Sequence, residues 1–137
     1  MYMTKLAITE DSLRILVDAF YDRVRADDLI GPVFNNAVLD WPGHLGKLQA
    51  FWSSVMLTSG RYKGQPLPSH IKHAGQINRQ SFDRWLMIWG ATTTDLMDEP
   101  SAAALQAKAT KIAESLSLGI EFSRERRRSS AAGQATA

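Results

Sequence analysis

Three histidines, His44, His70 and His73, are the only imidazoles in this 137-residue sequence, and cysteine is absent. His70 and His73 stand three apart, so on a helix they point the same way. Two imidazoles with no third cysteine or acid nearby make a poor zinc site. The lack of cysteine also excludes disulfides, zinc fingers and iron–sulfur clusters. Two aromatic residues could supply hydrogen-bond donors to an enclosed ligand. Tyr21 lies beside Phe20, and Trp85 lies in the stripe Phe82, Trp85, Leu86, Trp89. Both positions read equally well as core, since such stripes usually pack. A buried indole N–H or phenol O–H still needs a partner.

The elements that must position these groups read as helices. Thr9 before Glu10 and Asp11 is a capping hydroxyl with acids at the positive end of a helix dipole. Leu13, Leu16, Val17, Phe20 and Val24 follow at helical spacing, to about Arg25. Gly31-Pro32 breaks the pattern, and Phe34–Ala37 makes at most a helical turn. A second long helix is expected after Trp41-Pro42-Gly43, opened by His44. Leu45, Leu48, Phe51, Trp52, Val55 and Met56 are its apolar positions, and Ser59-Gly60 ends it. A loop over 61–68 leads to a short helix at Ser69–His73. The third long helix spans about Ser81 to Met97. The fourth has Pro100 in its first turn and carries Ala102, Leu105, Ala109, Ile112, Ala113, Leu116 and Ile120. No strand and no internal repeat stand out. The fold class is all-α.

The net charge of +2 is a property of the end of the chain. From residue 124 onward, four arginines against Glu125 make +3, which leaves −1 on residues 1–123. The body therefore offers no nucleic-acid face. Residues 124–137, basic and then rich in Ser, Ala and Gly, are expected to be disordered. No apolar run approaches the ~18 residues of a membrane span. The first residues lack the basic start and apolar stretch of a signal peptide. A cytoplasmic protein without a membrane partner is expected.

Several phrases, taken in order, resemble a known family. They are Phe20–Val24, Gly31–Ala37, Trp41-Pro42-Gly43-His44, Phe51-Trp52, Tyr62–His70 and Phe82–Leu86. Together, over about residues 8–122, they are similar to the truncated haemoglobins of group III, the P-type. The Gly-Gly pairs of many other truncated haemoglobins are absent, which fits that group. The resemblance implies a shortened globin, two pairs of helices sandwiching a haem, over residues 1–123. Without cysteine the haem would be b-type and non-covalent.

The resemblance also implies roles. His70 becomes the proximal iron ligand, with His73 its rival, and Tyr21, His44 and Trp85 surround the distal, ligand side. Phe34 packs on the porphyrin, and Leu48, Ile71 and Leu86 line it. Lys47, Tyr62 and Lys63 are placed to meet haem propionates. The ligands would be dioxygen, nitric oxide or carbon monoxide. Three distal donors imply tight holding, which suits ligand chemistry better than delivery. Nitric oxide dioxygenation or a peroxide reaction would need an external reductase. The alternatives are a haem-based ligand sensor or store, and a haem-free helical interaction module.

Overall fold

The computed structural model describes residues 4–66, 70 and 77–135, with side chains to 129. Among these residues the elements are five helices and no named strand. They are α1 (Glu10–Ala26), α2 (Gly31–Ala37), α3 (Trp41–Leu57), α4 (Arg79–Leu96) and α5 (Glu99–Ala135).

The sequence sets α1 at both ends. The Thr9 side chain accepts from the Ser12 N–H, and Ser12 Oγ accepts from the Thr9 N–H. The inward face, Leu13, Leu16, Val17, Phe20, Tyr21 and Val24, is buried. It meets Trp89, Thr92 and Thr93 of α4, and α5 adds Ala102, Leu105 and Ala109. Trp52 of α3 stacks on Trp89 with centroids 4.4 Å apart, and Trp85 lies parallel to Trp89 at 6.1 Å. The Trp89 indole N–H donates to the Leu105 carbonyl at 3.1 Å, so this buried donor is satisfied. Asn78 and Ser81 cap α4 reciprocally. A single bridge, Leu6 with Met97, ties the N-terminal segment to the α4–α5 junction.

Three boundaries differ from the sequence expectation. Gly31-Pro32 begins α2 instead of breaking structure, because proline suits a first helical turn. α3 starts at Trp41, where the Asp40 carboxylate accepts from the Gly43 N–H, so His44 sits inside the first turn. The basic segment from 124, expected to be disordered, continues α5 to Ala135. Alanine, arginine, glutamate and glutamine carry low helix cost, and no proline intervenes. Arg124 also donates to the Ile77 carbonyl, while residues 125–129 are exposed. The expected helix at Ser69–His73 lies outside the described residues except for His70, which is helical.

Asp27 fixes the corner between α1 and α2. Its side chain, 5% exposed, accepts from the Leu29 and Ile30 N–H groups and from the Arg84 guanidinium at 2.6 Å. The Arg84 hydrogen bond is the largest influence holding this carboxyl below its ordinary value. Such a group contributes stability above its unfolded pKa, and the contribution is lost as pH falls through the lower, folded one. Asp27→Ala is therefore expected to cost about 1–3 kcal/mol at neutral pH, by urea denaturation. The gap to wild type should close as pH drops below the ordinary carboxylate range. A gap that stays constant into acid would show that the charge on Asp27 is not what matters.

Candidate functional site

Tyr21, on the fourth turn of α1, is 4% exposed and surrounded by rings. Phe20 (4.7 Å), Phe34 (5.7 Å), Trp41 (6.0 Å) and His44 (6.2 Å) give the centroid distances around it. Burial pushes its phenol up to about 12, opposed in part by the nearby Trp85 indole. The hydroxyl is thus protonated throughout the physiological range. The Trp85 indole N–H, a donor only, is near enough to the phenol to influence it.

Trp85 is half-buried on α4, with Phe20 edge-on at 5.6 Å. His44 is half-buried on α3, three residues after Trp41 and therefore on the same face. Its imidazole is held below the ordinary histidine value, first by burial and then by the charges of Lys47 and His70. It is neutral at pH 7. The influence of His70 puts the two imidazoles within electrostatic reach of each other.

His70 is partly buried, and its Nδ1 lies 2.7 Å from the Pro66 carbonyl. A carbonyl only accepts, so Nδ1 carries a proton, and in the neutral imidazole Nε2 is then the nitrogen with the free lone pair. That is the tautomer of a metal-ligating histidine, with its second nitrogen fixed by a backbone acceptor. His73 and Ile71 lie outside the described residues.

Phe34, Leu48 and Leu86 are half-buried and pack against the core. Tyr62 is held beside α3 by two contacts: its N–H donates to Ser54 Oγ at 2.8 Å, and its ring meets Phe51 at 5.3 Å. The preceding Arg61 pairs with Glu10 of α1 at 2.7 Å. Lys47 and Lys63 are exposed. The structure thus brings Tyr21, His44, Trp85 and Phe34 together, with His70 in reach of His44. Nothing in the described contacts joins Lys63 to them.

Two residues at this cluster were given no site role in the sequence. Trp41 packs edge-on to His44 at 5.7 Å, and the Arg25 guanidinium carbon lies 4.5 Å over the Trp41 ring. The helical spacing of Trp41 and His44 was a usable signal for the first. Arg25 comes from another helix, and no local pattern marks it.

The α3 wall of this region offers apolar surface to a flat apolar group. α3 is rich in apolar side chains, yet only Trp52 and Ser53 are buried. Leu45, Leu48, Phe51, Val55 and Met56 pack on the core with part of their surface uncovered by the chain. Such a wall beside a histidine with a bare Nε2 suits a porphyrin and its iron.

Comparison with known proteins agrees with this geometry, although no family model matches the chain. It is 31% identical over 110 residues to the group 3 truncated hemoglobin ctb of Campylobacter jejuni, covering 77% of this chain and 86% of that protein. The crystal structure of group III truncated hemoglobin from Campylobacter jejuni superposes with a TM-score of 0.80 at 29% identity. That superposition covers 85% of this chain and 95% of the other. The chain belongs to the group 3 truncated haemoglobins.

Proposed function

We propose that the chain holds one b-type haem through His70 and binds dioxygen under the hydrogen bonds of Tyr21 and Trp85, tightly enough for ligand chemistry. Family membership supports haem and a diatomic ligand. The observation that carries the finer reading is the buried Tyr21 phenol, set among the rings of Phe20, Phe34, Trp41 and His44. The globin body is residues 1–123, with the basic segment from 124 appended to it.

When bound, the haem supplies an iron that takes a diatomic ligand and, with nitric oxide, yields nitrate at the cost of one electron. The protein's own residues do the rest. His70 offers Nε2, oriented by Pro66. Phe34, Leu48, Ile71 and Leu86 would line the macrocycle, and Lys47, Tyr62 and Lys63 would meet its propionates. Tyr21 directs a hydroxyl proton at the ligand's outer atom, where negative charge gathers, and surrounding rings keep water away. Neutral His44 adds a further donor. Tight holding disfavours delivery, so the proposed activity is nitric oxide dioxygenation, or reaction with peroxide, with an external reductase restoring the electron.

Mixing the oxygen-loaded protein with nitric oxide tests this. The expected result is about one nitrate per haem within the mixing time, with the electron resupplied only when a reductant is added. Release of dioxygen without nitrate would instead support a store or sensor.

A further inference from the structure

We propose that Arg25 is a positioning residue, which holds Trp41 against His44 as a door on the solvent side of the ligand pocket. The proposal rests on the haem-and-gas reading above. Three elements meet at this corner. Arg25 ends α1, and its guanidinium carbon is 4.5 Å over the Trp41 ring at the start of α3. Asn35 of α2 anchors the arginine, donating to its carbonyl at 3.2 Å and accepting from its Nε at 3.4 Å.

Exposure falls inward along this line. Arg25 and Asn35 are exposed, Trp41 and His44 half-buried, and Tyr21 buried. The Trp41 ring is edge-on to His44 at 5.7 Å and tilted on Tyr21 at 6.0 Å. An open cleft lined by Asp22, Arg25, Ala26 and Asn35 lies beside the arginine. On this proposal a ligand entering at this corner passes the Trp41–His44 pair before it meets the Tyr21 hydroxyl. Trp41 packs inward on the core and on the Tyr21 and His44 rings, while its neighbours Pro42 and Gly43 are exposed. The cation on the ring face restrains the indole from the solvent side.

A door has a kinetic signature that a binding contact lacks. It raises or lowers the barrier without touching either end state, so it scales association and dissociation by the same factor. Losing an exposed cation–π contact is expected to change each rate roughly two- to fivefold.

The experiment is flash photolysis and stopped-flow with carbon monoxide on the haem-loaded protein, for wild type, Arg25→Ala, Arg25→Lys and Asn35→Ala. The indole N–H signals in the nitrogen-15 spectrum are recorded alongside. Arg25→Ala should speed both rates by one common factor, leave their ratio unchanged and shift the Trp41 indole signal. Arg25→Lys, which keeps a cation over the ring, should stay near wild type. Asn35→Ala should fall between. If the Trp41 signal shifts while both rates stand still, or if only dissociation changes, the proposal is overturned. If wild type itself takes up no haem, the parent reading fails, and that failure is visible before any variant is made.

Discussion

Replacing His70 by alanine is expected to leave a chain that cannot retain haem. Losing even an outer partner of a metal ligand weakens binding by about 10–100-fold, and removing the ligand itself should exceed about a hundredfold. The expectation rests on the hydrogen bond from Nδ1 to the Pro66 carbonyl, which leaves Nε2 bare and fixes the ring's direction. His70→Gly with added imidazole should recover a five-coordinate spectrum, because the small ligand refills the space. His73→Ala should leave haem content intact. Haem titration followed by gel filtration measures all three. Full retention in His70→Ala with loss in His73→Ala would mean that the proximal ligand is the other histidine.

The second large effect concerns dioxygen. A hydrogen bond to a partly charged acceptor contributes about 1.5–3 kcal/mol, and each 1.4 kcal/mol is a factor of about ten. Tyr21→Phe keeps the ring, and with it the packing against Phe20, Phe34 and His44, and removes only the hydroxyl. Dioxygen dissociation should accelerate by roughly ten- to a hundredfold if that bond acts alone. The structure adds a condition. The Trp85 indole N–H is a second donor near the phenol, free to serve the ligand when the Tyr21 hydroxyl is removed. The single effects should therefore not add, and the Tyr21→Phe/Trp85→Phe pair should lose more than their sum. Carbon monoxide, with less charge on its outer atom, is the control. Equal small changes for both gases would return Tyr21 and Trp85 to the status of core residues.

The fold was legible wherever the signal was local. Thr9 with Glu10 and Asp11 marked the start of α1, and the stripe from Leu13 to Val24 marked its buried face. Pro100 marked the first turn of α5. Boundaries went astray where one residue type has two uses. Gly31-Pro32 stops one helix pattern and starts the next, and Asp40 caps α3 ahead of the tryptophan taken as its outer limit. The end of α5 was misjudged because a solvated helix needs no apolar stripe, only residues of low helix cost.

At the candidate site, His70, Tyr21, His44 and Trp85 came from the family resemblance. Periodicity alone left Tyr21 and Trp85 indistinguishable from core, and in the structure they are also that. The Arg25–Trp41–His44 contact was out of reach for a different reason. It joins the end of one helix to the start of another, and only their packing angle brings cation and ring together.

The most direct test of the account is the visible absorption spectrum of the purified protein, taken as isolated, after adding haem, and after reduction under carbon monoxide. One b-type haem per chain is expected, extractable with acid and organic solvent because no cysteine can anchor it. The ferrous form should give the carbon monoxide spectrum of a histidine-ligated haem. A protein that is colourless and stays colourless after haem is added would contradict the account.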